Sequence, residues 1–232
     1  MFKKMLTPAL VALLAISMII TGCSDDDDAN PISSTPATAS VMVVHASPDA
    51  PGVDLLVDGS VVNSEALTFP QNTGYLDVPA GTRNVQVNAS GTSTTVIDAD
   101  LDLSGDWTYT VFATGSLSEI APLVLVDQLA SPAAGNAHVR FVHLSPDAPA
   151  VDITLTDGTV LFGSQAFRDY TDFTPLPAGT YDLQVRLAGT STVVLELPNV
   201  SLTDGTIYTV FARGFVSGSG TQALGAEIIV NN

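Results

Sequence analysis

Apolar and polar positions alternate with a period of two along much of the chain. Val53, Leu55 and Val57 alternate with Asp54 and Asp58, and Val85 and Val87 with Asn84, Gln86 and Asn88. Further on, Val151, Ile153 and Leu155 alternate with Asp152, Thr154 and Thr156, and Leu183, Val185 and Leu187 with Asp182, Gln184 and Arg186. Period two with one apolar face predicts strands of a sheet packed on one side. No window sustains a helical stripe. Asp58-Gly59 and Asp157-Gly158 suit tight hairpins, because glycine accepts positive φ. Pro79-Ala80-Gly81 and Pro177-Ala178-Gly179 set up a second kind of turn.

The pattern occurs twice. HASPDAPGVD at 45–54 returns as HLSPDAPAVD at 143–152, VPAGT at 78–82 as LPAGT at 176–180, and SGTST at 90–94 as AGTST at 188–192. Each offset is 98 residues, and YTVFATG at 109–115 returns as YTVFARG at 208–214 with an offset of 99. Four blocks in one order define two homologous domains, 40–130 and 136–232, joined by the small residues near Ala130–Gly135. Turns every eight to twelve residues predict an all-β fold, two tandem sandwiches of seven or eight strands.

Ahead of these domains, Lys3 and Lys4 precede an apolar run from Met5 to Ile20 and then Ile20-Thr21-Gly22-Cys23. A basic stretch, an apolar segment and small residues are the parts of a secretory signal over 1–22. The last four residues resemble the lipobox of bacterial lipoproteins. That resemblance implies a diacylglycerol on the Cys23 thiol, cleavage before it and acylation of the new amino group. Two or more acyl chains hold a protein stably to a bilayer. The competing reading, an uncleaved membrane helix over Met5–Gly22, is weakened by its bare 18 residues and by Pro8. Ser24 after the cysteine points, by the family rule, to an outer membrane. Asp25–Asp28 read as a solvated spacer or, alternatively, a surface-export tag. Residues 23–39 form an acidic, Pro-, Ser- and Thr-rich tether.

Charge narrows the function. The chain has 232 residues with 7 Lys+Arg against 24 Asp+Glu, a net charge of −17, which becomes −19 once the signal removes Lys3 and Lys4. A phosphate backbone needs a basic face, so ordinary nucleic-acid binding is excluded. Cys23 is the only cysteine, which excludes a disulfide framework and a cysteine-rich zinc site. At 46% hydrophobic residues the chain has ample material for a core.

The HxSPDAPxVD block, the PAGT turn and the late YTVFAxG strand resemble domain-of-unknown-function family 4397 (DUF4397) over nearly all of residues 41–230. The resemblance implies an immunoglobulin-like or transthyretin-like sandwich, in a family of bacterial secreted and surface proteins without an established activity. The LPAGTYDLQV stretch at 176–185 is also similar, more weakly, to carboxypeptidase-regulatory-like sandwiches.

The HxSPDAPxVD block is the repeated polar cluster and hence the first candidate site: His45, Ser47, Asp49 and Asp54, with His143, Ser145, Asp147 and Asp152. Ser47-Pro48-Asp49-Ala50 fits a type I turn. If the flanking strands pair, His45 meets Asp54 and His143 meets Asp152, pinning the loop, while Asp49 and Asp147 bond backbone amides of the turn. A metal reading has one imidazole per copy, fewer soft donors than zinc usually takes. A hydrolase reading would cast Ser47, His45 and Asp49 as a relay, but residues two apart on one turn cannot readily form it. Asp98, Asp100 and Asp102 imitate the start of a calcium loop without its bidentate glutamate, and their alternation with Ile97, Ala99, Leu101 and Leu103 describes an exposed strand face. Trp107, Tyr109 and Tyr208 open late strands as core or corner residues, with a sugar-stacking platform as the lesser reading. Arg140, Arg168, Arg186 and Arg213 fall in the second domain and Arg83 in the first, and single arginines on strand faces are commonly solvated.

These readings converge on a cell-envelope protein held by its lipid, a binding or structural module with no cofactor and no catalytic site. An unidentified protein or glycan would be its ligand. The alternatives are a carbohydrate-active or hydrolytic accessory protein and a calcium-dependent, adhesin-like surface protein.

Overall fold

The computed structural model describes residues 36–232. The lipobox, Cys23 and nearly all of the tether lie outside the described residues. In the first domain the strands are β1 (Thr38–Ala46), β2 (Val53–Val57), β3 (Ser60–Val61), β4 (Asn72–Pro79), β5 (Gly81–Ala89), β6 (Thr95–Leu103), β7 (Thr108–Thr114) and β8 (Ala121–Val126). In the second they are β9 (Asn136–His143), β10 (Val151–Leu155), β11 (Val160–Gln165), β12 (Thr174–Pro177), β13 (Gly179–Leu187), β14 (Val193–Leu202), β15 (Ile207–Arg213) and β16 (Gly225–Val230). The chain is all-β, in two tandem domains.

Each domain is a pair of four-stranded sheets. The first stacks β4-β1-β7-β8 on β3-β2-β5-β6, and the second repeats the order as β12-β9-β15-β16 on β11-β10-β13-β14. The central pairs β1–β7 and β9–β15 are parallel and the other pairings antiparallel. Four plus four strands differ from the four plus three of a constant-type immunoglobulin domain. The Asp58-Gly59 turn links β2 to β3 with φ of +49° and +77°, the double positive φ of a type I′ hairpin.

The alternating segments belong to β2, β5, β10 and β13; β2, β5 and β13 alternate between buried or half-buried and more exposed positions, whereas β10 is buried at both parities from Val151 to Thr154. The other two sheets behave differently. Val41, Val43, Tyr109 and Val111 face the core of the first domain, while Met42, Val44, Ala46 and Phe112 pack with Val142, Leu144, Phe211 and Ile229 of the second in a separate buried cluster. Phe112 and Phe211 meet edge to face at 5.7 Å between ring centroids. β1, β7, β9 and β15 are therefore covered on both faces, and the molecule is four sheets deep. The expectation of sheets packed on one side fails for this inner pair. The reason is visible in VMVVHA and YTVFA, apolar runs too continuous for a half-solvated strand.

Candidate functional site

The HxSPDAPxVD block connects β1 to β2, which lie in different sheets, so the block spans the open end of the sandwich. His45 and His143 close β1 and β9 and are fully buried. Each donates from Nε2 to a carbonyl inside its own loop, to Pro51 at 2.9 Å and to Pro149 at 3.2 Å. A carbonyl only accepts, so the proton sits on Nε2. Burial lowers both imidazole pKa values and keeps the rings neutral.

The expected contacts with Asp54 and Asp152 do not form, because β1 and β2 do not pair. Asp54 instead accepts from the Gly91 amide at 3.0 Å and the Ser90 hydroxyl at 3.0 Å, which fastens the β5–β6 turn. Asp152 accepts from the Gly189 amide at 2.8 Å and the Ser164 amide at 2.7 Å. Asp49 and Asp147 do bond amides, but those of another loop: Leu117 at 2.8 Å and Val216 at 2.9 Å, just beyond β7 and β15. Ser145 donates to the Gly214 carbonyl at 2.6 Å, and Ser47 is buried at the equivalent position. Three loops at one end of each sandwich are thus tied together by a single ten-residue block. In this arrangement His45, Ser47 and Asp49 make no relay, since the imidazole and the carboxylate are each committed to backbone groups.

The two copies differ where the β7–β8 and β15–β16 connections run. Residues 115–120 make the first connection and 214–224 the second. Arg213 braces the longer one by donating to the Thr221 and Ala223 carbonyls at 2.9 and 3.0 Å. Beneath it an apolar cavity of about 260 Å³ lies against His143, Pro149, Val185, Leu195 and Val216.

The acidic candidates sit on a different surface. Asp98, Asp100 and Asp102 stand on β6 opposite Gln86, Asn84 and Thr82 of β5. Asn84 donates to Asp98 and Asp100 at 2.8 and 3.0 Å, Gln86 to Asp98 at 3.1 Å, and Thr82 to Asp102 at 2.5 Å. They form a cross-strand ladder. No group of three or more His, Cys, Asp or Glu that could hold a metal ion occurs among the described residues. Tyr109 and Tyr208 are buried, and their hydroxyls accept from the Ser104 and Thr203 amides. Trp107 departs from its expected place in the core: it is 52% exposed and lies over Tyr109.

The group that sequence reasoning missed joins the domains. Arg140, expected in solvent, is 2% exposed. Its guanidinium lies 2.7 Å from Asp127 and donates to Thr209 at 2.9 Å and to Thr110 at 3.1 Å. Thr110 and Tyr75 both donate to Asp127 at 2.6 Å, Thr209 donates to Asn231 at 2.7 Å, and Asn231 donates to Tyr75 at 2.9 Å. The six residues close a ring, three from each domain. Burial and the neighbouring Asp127 carboxylate push the Tyr75 phenol well above its ordinary pKa. Arg168 reaches the Thr114 and Glu119 carbonyls of the first domain, and Arg213 lies over Phe69. Arg140 and Arg168 thus bond the first domain, while Arg186 and Arg213 keep their hydrogen bonds within the second. The one available sign was Arg140 itself, a charge between the apolar Val139 and Phe141.

Duplicated sandwiches, each closed by the same loop-tying block, define a tandem β-domain protein. The model for the domain of unknown function DUF4397 matches residues 39–154 and again 154–231, and the chain belongs to that family. The division falls inside β10, past the start of the second sandwich. No curated protein matches the chain.

Proposed function

We propose that the chain is a non-catalytic binding or structural module of the bacterial cell envelope, attached to the outer membrane through a lipidated Cys23. The observation that carries this reading is the use of the repeated polar block. Its histidines, aspartates and Ser145 are bonded to backbone groups of the loops they join, which leaves a scaffold where an active site would otherwise be sought. A doubly covered inner layer gives that scaffold rigidity, which suits a body held away from a membrane by a tether. The cavity beneath the 214–224 loop supports the binding half of the reading, since apolar clefts of this kind commonly take ligands.

Metabolic labelling with a fatty acid, together with fractionation of wild type and Cys23→Ser, tests the attachment. Label in the wild-type band and release of the variant into the soluble fraction are expected. An unlabelled wild type, or a variant as firmly held as wild type, contradicts it.

A further inference from the structure

A second cavity of about 260 Å³ opens on the seam between the domains. Its wall comes from both: Gln128 follows β8, while His138 and Arg140 belong to β9 and Tyr170, Asp172 and Phe173 precede β12. We propose that this pocket binds a single neutral sugar ring. The proposal goes beyond the envelope-module reading and does not depend on the lipid.

The argument begins with Arg140. Its guanidinium lies 4.6 Å from the centre of the Phe173 ring, donates to Thr209 and Thr110, and faces the Asp127 carboxylate as an ion pair at 2.7 Å. Three of its five N–H groups make no hydrogen bond to protein among the described residues, and Arg140 lines the cavity at a buried site where an unmet donor is costly. Its charge is already balanced by Asp127. Asp172 and the chain's excess of acids disfavour an anion there. What remains is a neutral ligand rich in hydroxyls.

The rim suits such a ligand. Tyr170 is 52% exposed and offers an apolar face to the C–H side of a ring. Gln128 supplies an amide that both donates and accepts, His138 an imidazole and Asp172 an acceptor. The side chains of Gln128, His138, Tyr170 and Asp172 make no hydrogen bond to protein among the described residues, so they are free for a ligand. At about 30 Å³ per water, the cavity holds the equivalent of about nine waters, room for one ring and not for a chain of them. The first domain has Ser40, Met42, Asn72, Gly74 and Tyr75 at the positions of His138, Arg140, Tyr170, Asp172 and Phe173, so the chemistry belongs to one copy.

The test is a nuclear magnetic resonance titration of the full-length, tyrosine-labelled chain in detergent with glucose, galactose and N-acetylglucosamine, and separately with sodium sulfate. Saturable movement of the Tyr170 ring signals with at least one sugar, at millimolar affinity, is expected. Tyr170→Ala and Gln128→Ala, both at exposed positions, should weaken binding about tenfold, read on the remaining signals. Trp107→Ala should leave it unchanged. No saturable shift with any of the three sugars overturns the proposal. So does saturation by sulfate instead, or sugar binding that survives both substitutions.

Discussion

The Arg140 guanidinium and the Asp127 carboxylate lie 2.7 Å apart, one from each domain, both almost wholly withdrawn from water. In the opposite copy, the equivalent positions hold Met42 and Asn231. A duplicated pair could dock in more than one symmetric way, and one charge on each side, placed asymmetrically, favours a single arrangement.

Removing one partner leaves the other charged and buried. Asp127→Asn should therefore cost about 3–5 kcal/mol in urea unfolding. Combining it with Arg140→Met, which places at both sites what the other copy carries, should recover more than half of that loss. Additive losses in this double-mutant cycle would show that the two groups are not coupled.

Phe112 and Phe211 fill the layer between the inner sheets. Phe112→Ala should destabilise by about 3–5 kcal/mol, as a large core truncation does. Because the residue serves both domains, the loss should appear in probes of each. A loss confined to the first domain would mean that the layer is not shared.

His45 and His143 are held neutral by burial, with pKa values below the ordinary imidazole value. The unfolded chain binds protons more readily, so their contribution is fully present above about pH 6.5 and is lost as pH falls from there toward the folded-state values. The melting temperature should drop between pH 7.5 and pH 5.5. In the His45→Gln, His143→Gln double variant that drop should be smaller, and an unchanged slope would assign the acid sensitivity to other groups.

Gly214 follows β15 with φ of +84°, and a Cβ there would lie about 2.2 Å from the Ala223 carbonyl oxygen. Gly214→Ala should lower stability by about 2–4 kcal/mol, from the strained φ and the displaced loop together. Thermal melting measures it. Gly189→Ala, with a similar φ and open space around it, should cost less.

The sequence carried the duplication and the sandwiches because both are local patterns. Val53-Asp54-Leu55 and Leu183-Asp182 betray a half-buried strand, and Asp58-Gly59 betrays its turn. The block it singled out at 45–54 and 143–152 bonds loops at one end of each domain through its histidines, its aspartates and Ser145. The partners were illegible: that His45 would bond Pro51 and Asp54 would bond Gly91 depends on β1 and β2 lying in different sheets. The inner layer was legible in principle. Val41–Ala46 and Tyr109–Ala113 are apolar at both parities, and with Arg140 set among apolar neighbours they describe strands buried on two sides.

Differential scanning calorimetry of the intact chain tests the central claim, that the two sandwiches are one body joined through a buried layer. The account predicts a single endotherm whose calorimetric and van't Hoff enthalpies agree for all of residues 36–232. Two resolved transitions, each left in place by Asp127→Asn, would contradict it.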